Sequence, residues 1–218
     1  MVLLVPLNYT LRKKILSFMT LSICKKMNKE YYLRPLKKED GILLRQWTDH
    51  DDPLFVGYNY SDLSDKELDI WFKMKQGRNN ALYFSIFNIE GKLIGYIGIK
   101  EINKVLKIAK LGIVLDSKFM SKGIGSKVLQ QFLNFYFEKL KMRRLDLEVN
   151  AWNTRAINLY KKFNFKMHSS EYIKFENQVI DIEEEKYEGY FERKNGIIFT
   201  KIYEMRLKRQ EYLDEIRD

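Results

Sequence analysis

The sequence predicts a mixed α+β domain, a central, mostly antiparallel, twisted sheet of about six to seven strands flanked by helices. Three observations carry that expectation. Two nearly continuous apolar runs, 81–87 and 93–99, are separated by Asn88-Ile89-Glu90-Gly91-Lys92; turn residues between β-like runs read as a hairpin, and the lack of alternation implies that both faces are covered. A third run, 106–115, leads through a glycine turn into a helix, a second strand and a second helix that ends near Phe165. That order requires a crossover between roughly parallel neighbours. A long β-like run over 196–207 closes the chain before a polar helical tail ending at Asp218.

Taken in order, Tyr31-Tyr32-Leu33-Arg34-Pro35-Leu36 reads as a first strand, stopped by a proline that has no N–H to give. Residues 40–50 place Ile42, Leu43, Gln46 and Trp47 on helical spacing, with Leu44 widening the face. Pro53 and Gly57 break that pattern, and Ser64-Asp65-Lys66-Glu67 is a capping box ahead of a helix carrying Leu68, Trp71, Phe72 and Met74. After Gly125 a broad stripe of Val128, Leu129, Phe132, Leu133, Tyr136 and Leu140 marks a core-facing helix. In 144–149, Leu145, Leu147 and Val149 alternate with Asp146 and Glu148, the period of a strand. Ala156, Leu159, Tyr160 and Phe163 then return to helical spacing.

At 218 residues the chain suits one domain with additions. Charged residues at 31% against 45% hydrophobic exclude a disordered or membrane-embedded class. Residues 1–30 carry Arg12, Lys13, Lys14, Lys25, Lys26 and Lys29 against Glu30 alone, so half of the +10 net charge sits in that leader. The body is only mildly basic, and nucleic acid is not expected as a partner. The single cysteine, Cys24, suits a reducing cytoplasm, and His50 and His168 have no metal-ligand spacing, so no metal is expected. The apolar stretch 15–24 is too short to span a bilayer. Residues 1–26 read as an extension or a leader before a start at Met27, in preference to a weak targeting segment, and a chain beginning at Met27 is expected to fold and act. The domain is expected over 27–210, with an insertion near 170–195 and a tail at 211–218. The acidic run 181–188 reads as a solvated face, or alternatively as a lure for a cationic amine.

Lys122-Gly123-Ile124-Gly125-Ser126 lies between a strand and a helix, where glycines let backbone N–H groups approach an anion and the helix dipole favours negative charge. A tight turn alone would explain the glycines equally well. Asn153 is placed to cap the following helix, and Tyr160, taken alone, reads as a core tyrosine. The two pieces together resemble the GCN5-related N-acetyltransferase (GNAT) superfamily. Its Arg/Gln-x-x-Gly-x-Gly/Ala signature aligns with Met120, Gly123 and Gly125, and its Asn-x-x-Ala-x-x-Leu-Tyr-x-x-x-Gly-Phe signature aligns with Asn153, Ala156, Leu159, Tyr160 and Phe165. Met120 replaces the basic or amide residue, and Asn164 replaces the glycine. The likeness is detailed over 111–165 and looser over 31–110, where Tyr32-Leu33-Arg34-Pro35-Leu36 before Glu39-Asp40 looks like the opening of the ribosomal-protein (RimJ/RimL-like) acetyltransferase branch.

The resemblance implies an acetyl-CoA-dependent transfer to a primary amine, which could be a protein N terminus, a lysine, a polyamine or another small amine. It implies that the main chain of Ile113, Val114 and Leu115 holds the pantetheine arm. The amides of Lys122, Gly123, Ile124, Gly125 and Ser126 would hold the pyrophosphate, Asn153 would approach the arm, and Tyr160 would sit near the sulfur as the acid. Glu148, twelve residues before Tyr160, resembles the base that accompanies such a tyrosine in protein N-terminal acetyltransferases; Glu101 or a water is the other candidate. A homodimer is compatible with this reading. The competing readings are a non-catalytic acyl-CoA-binding module, motivated by Met120 and Asn164, and action on aminoacylated RNA, motivated by the basic balance alone.

Overall fold

The structure, a computed structural model, describes residues 31–76, 80–183 and 185–217. The expectations for residues 1–26, for Cys24 and for a start at Met27 lie outside them. The described residues fall into two compact units, one of 31–49, 59–105 and 111–125, the other of 50–58, 106–110 and 126–217. The strand order is β1-β2-β3-β4-β5-β8-β6, with β7 on β8.

In the first unit β1 (Tyr31–Pro35) pairs antiparallel with β2 (Leu82–Asn88), which pairs antiparallel with β3 (Leu93–Asn103). Beside β3 runs the second half of β4 (Ile108–Leu115). Both strands of the predicted hairpin are buried throughout 82–87 and 93–99, as their unalternating composition requires. Gly95 permits the close approach of β4, since a Cβ there would stand 2.7 Å from the Val114 carbonyl oxygen.

Two helices complete this unit. α1 (Asp40–Leu43) lasts one turn and tightens into a 3-10 turn at Leu44–Gln46, shorter than the helix expected over 40–50. The Asp40 carboxylate is fully buried and takes hydrogen bonds from Arg34, the Lys37 N–H and Ser85 Oγ. Anchored there, the chain buries Leu44 and Trp47, three apart as a 3-10 turn stacks them, and leaves Ile42 exposed. α2 (Asp65–Gln76) begins at the predicted capping box: the Ser64 N–H donates to Glu67 and the Glu67 N–H to Ser64 Oγ. Leu68 and Trp71 are buried, but Met74, expected on the apolar face, is exposed, because the face turns toward the aromatic side chains around Lys75.

The second unit holds the crossover. Residues 108–110 of β4 pair in parallel with 144–146 of β5 (Arg144–Asn150). Between them α3 (Ile124–Asn134) buries Val128, Leu129, Phe132 and Leu133. It continues as a π-helical turn, Phe135–Lys139, whose wider winding puts three consecutive aromatics, Phe135, Tyr136 and Phe137, inside. β5 pairs antiparallel with β8 (Ile197–Lys208), which also pairs antiparallel with β6 (Lys166–Lys174) and β7 (Phe191–Lys194). α4 (Thr154–Lys162) follows β5, and α5 (Arg209–Arg217) follows β8.

Among the described residues eight strands are present where about six to seven were expected. β6 was missed because all of its residues except Tyr172 are exposed, so no apolar face marks it. Within 170–195, where an insertion was expected, Phe175, Ile180, Tyr187 and Phe191 pack with Leu54, Trp152 and Ile198 as a small core. Asp146, read as a polar-face residue, is buried between Arg144 at 2.8 Å and Arg206 at 3.7 Å.

Candidate active site

In the first unit the chain is pinned where β4 ends. Asp116 is fully buried; its N–H donates to the Ile94 carbonyl and its Oδ1 accepts from the N–H groups of Lys118 and Thr48. Lys92 Nζ lies 3.6 Å from its other oxygen. A 3-10 turn, Ser117–Phe119, then presents the Phe119 ring to two ammonium groups, Lys92 and Lys122, each 5.4 Å from its centroid. Met120 follows in extended geometry, and the turn closes with Ser121 at φ 59° and Gly123 at φ 76°. No atom lies within 4 Å of where a Cβ on Gly123 would stand, and 121–123 are exposed. The first turn of α3 leaves amides without intrahelical acceptors, so the turn is an open, N–H-rich cradle with a favourable dipole and two flanking cations. Lys92 was missed by sequence reasoning: it belongs to the hairpin turn before β3, and no motif includes it.

Ile113, Val114 and Leu115 are half-buried on β4. Just before them, Gly112 leaves room for Tyr83, whose hydroxyl would be 3.0 Å from a Cβ at that position. Burial, and secondarily Glu101, push the Tyr83 phenol up to about 12. Lys75 Nζ stands 5.3 Å over the Tyr83 ring and 5.1 Å over Tyr96, and burial, then Lys100, bring its amine down to about 8. Glu101 adopts φ 54° and stands 3.9 Å from Lys100.

In the second unit Glu148 is on the exposed side of β5, as the alternation implied, and accepts a hydrogen bond from Lys110 Nζ at 2.6 Å. Asn153 is the N-cap of α4, its Oδ1 accepting from the Ala156 N–H at 3.1 Å. The face of α4 that turns inward carries Ile157 and Tyr160. Tyr160 is buried, its ring tilted against Phe165 with centroids 5.8 Å apart. Burial, and then nearby Tyr58, raise its pKa well above the ordinary phenol value. The helix ends in a Schellman motif: Asn164 takes φ 60°, the Phe165 N–H donates to the Tyr160 carbonyl, and the Asn164 N–H donates to Lys161. Asn164 thus fills the place of the family's glycine without losing the geometry. Among the described residues no group of three or more His, Cys, Asp or Glu could hold a metal ion, and no helix is long and apolar enough to cross a membrane.

A parallel crossover that follows an open glycine turn at a helix N terminus, within a mostly antiparallel sheet, presents backbone N–H groups where an anionic group could be held. Residues 31–166 match the family model for the acetyltransferase (GNAT) domain, and the chain belongs to that family. It is an acetyl-CoA-dependent N-acetyltransferase. The spermidine N(1)-acetyltransferase of Escherichia coli strain K12 is 25% identical over 145 residues, 62% of this chain and 72% of that protein. An N-alpha-acetyltransferase of Sulfurisphaera tokodaii is 30% identical over 93 residues, 38% of this chain and 56% of its own. The solved structure of spermidine N-acetyltransferase from Vibrio cholerae in complex with CoA and spermine has the same fold, with TM-score 0.64 at 19% identity, covering 85% of this chain and 99% of that one.

Proposed function

We propose that this acetyltransferase acts on a primary amine of a polyamine of the spermidine type. The observation that carries coenzyme binding is the open left-handed turn at Gly123 ahead of α3. In this reading the amides of Lys122, Gly123, Ile124, Gly125 and Ser126 hold the pyrophosphate, and Lys92 and Lys122 supply the charge that Met120 lacks. The main chain of Ile113, Val114 and Leu115 holds the pantetheine arm in this reading, and Asn153, whose side-chain oxygen caps α4, is the residue proposed to approach that arm.

Transfer needs three things. The acceptor ammonium must lose a proton, its nitrogen must attack the thioester carbonyl, and the sulfur must leave with its charge stabilised. Tyr160 is the proposed acid: a buried phenol whose ionisation is disfavoured stays protonated and offers its O–H to the departing sulfur. Glu148 is the proposed base, and an arriving ammonium competes with Lys110 for its carboxylate; Glu101 or a water is the alternative. Holding amine and thioester together supplies much of the acceleration.

The polyamine acceptor rests on the likeness to spermidine acetyltransferases over most of the chain. A second acceptor, a protein N terminus, is favoured by the shorter likeness to an N-alpha-acetyltransferase and by the resemblance of 32–40 to the ribosomal-protein acetyltransferase branch. Self-association as a homodimer, supported by the exposed apolar Met167 and Ile173 on β6, and a cytoplasmic location belong to the same proposal. Thiol release from acetyl-CoA, measured over a panel of polyamines, free lysine and peptides with different N termini, tests the acceptor. The expected result is the highest kcat/KM with spermidine or spermine. Efficient turnover of a peptide N terminus with none of the polyamines would replace the first acceptor by the second.

A further inference from the structure

We infer that the protein acetylates itself at Lys75, whose ε-amine is an internal acceptor seated on Tyr96 and on Tyr83, the ring whose hydroxyl abuts Gly112 of β4. This rests on the reading above, in which the acyl-pantetheine lies along 113–115.

Lys75 is the penultimate residue of α2. Among the described residues, three partly buried cations are matched to carboxylates: Lys92 to Asp116, Lys110 to Glu148, Arg34 to Asp40. Among the described residues Lys75 makes no hydrogen bond and no ion pair; its contacts are the faces of two tyrosine rings. A half-buried ammonium without a carboxylate is poorly stabilised even over aromatic faces, and the charge that acts on it is that of another cation, Lys100. The group therefore sheds its proton easily: with its pKa near 8 about half of it is the nucleophilic free amine at that pH, whereas an ordinary surface lysine is well under ~1% neutral there.

Its position matters as much as its protonation. The Tyr83 ring that carries the amine also puts its hydroxyl against Gly112, the residue that immediately precedes the proposed pantetheine-holding main chain. The same unit thus gathers a neutral-prone amine, the strand proposed to hold the thioester and the turn proposed to hold the pyrophosphate. In the step, the lone pair of Nζ attacks the thioester carbonyl carbon, the N–C bond forms and the C–S bond breaks. The amine's proton goes to solvent, the thiolate takes up a proton, and the products are acetyl-lysine and free coenzyme A. An amide does not pass the acetyl group on, so the event is a single-turnover modification, not an intermediate. It replaces a cation by a neutral amide on the tyrosine faces.

The test is incubation of the full chain with deuterated acetyl-CoA and no added amine, followed by intact mass and peptide mapping. The expected result is labelling that approaches one acetyl per chain, located at Lys75 and blocking tryptic cleavage there, at least about tenfold faster than in Gly123→Glu. Lys75→Arg, which keeps the charge but not the nucleophile, removes that label. Spermidine turnover with Lys75 unmodified, or modified no faster than exposed lysines, overturns this inference alone. Absence of both the label and any transfer to polyamines or peptides overturns the functional reading and this inference with it.

Discussion

Tyr160, the proposed acid, reads by its spacing as a core residue. Its burial is what a packing tyrosine would show, and the same burial keeps the phenol protonated. Tyr160→Phe preserves the ring and its contact with Phe165, so the fold and coenzyme binding are expected to survive. The expected kinetics are kcat at least about tenfold lower with the KM for acetyl-CoA within about twofold, read by steady-state thiol release. An unchanged kcat would remove Tyr160 as the acid. Glu148 shows what a sequence cannot say: its outward direction was legible from alternation, but its engagement by Lys110 depends on strand pairing between distant segments. Lys75 was not singled out by the sequence at all, because its burial comes from where α2 lies against Tyr83 and Tyr96. Its depressed pKa has a consequence for stability with a definite sign. Below about pH 8 the amine is charged in both states and the folded chain bears the full burial penalty. As pH rises from about 8 toward the ordinary lysine value of 10.5, the folded state deprotonates first and stability climbs. Denaturant unfolding of wild type and Lys75→Met at pH 7 and 9.5 should give a gap in favour of the variant that narrows with pH; a gap independent of pH would contradict the assignment.

At the scale of elements, legibility follows whether local chemistry agrees with the final environment. The capping box at Ser64, the cap at Asn153 and the continuous apolar hairpin were all readable, since each depends on residues a few positions apart. β6 was not readable because its side chains are exposed and do not alternate, and α1 was overestimated because buried Asp40 fixes the chain from outside the helix. The end of α4 is a finer case. Asn164 departs from the family's glycine, yet asparagine is among the few residues that accept left-handed geometry, and it does so here with both Schellman hydrogen bonds made. Asn164→Gly should be neutral or stabilising by up to about 0.5 kcal/mol, whereas Asn164→Val should cost about 1–2 kcal/mol. Thermal unfolding of the pair checks this, and equal melting temperatures for valine and wild type would contradict the strain argument.

For the whole molecule, charge is mostly used locally. Half of the net +10 lies in 1–30, and the body pairs its cations across strands and helices. The fold was legible because the hairpin and the crossover imprint themselves on the order of apolar runs. The candidate site could be read in the sequence only where its residues fall in a short motif. Met120 departs from the motif at the turn; in the structure Lys92 and Lys122 flank the same turn, and Lys92, proposed to compensate, comes from a hairpin that no local pattern connects to it. The acceptor is not written in any such motif; it is proposed on likeness, and the panel described above tests it. The most direct test of the coenzyme site is calorimetric titration of acetyl-CoA into wild type and Gly123→Glu, with circular dichroism to show that both are folded. Gly123 is exposed and its surroundings are open, so the glutamate meets no packing clash; its left-handed φ of 76° costs about 1–2 kcal/mol of backbone strain, which is why folding is checked, and the side chain places bulk and negative charge where the pyrophosphate is proposed to lie. The account predicts saturable binding to wild type and none measurable to the folded variant; equal affinity for both would contradict it.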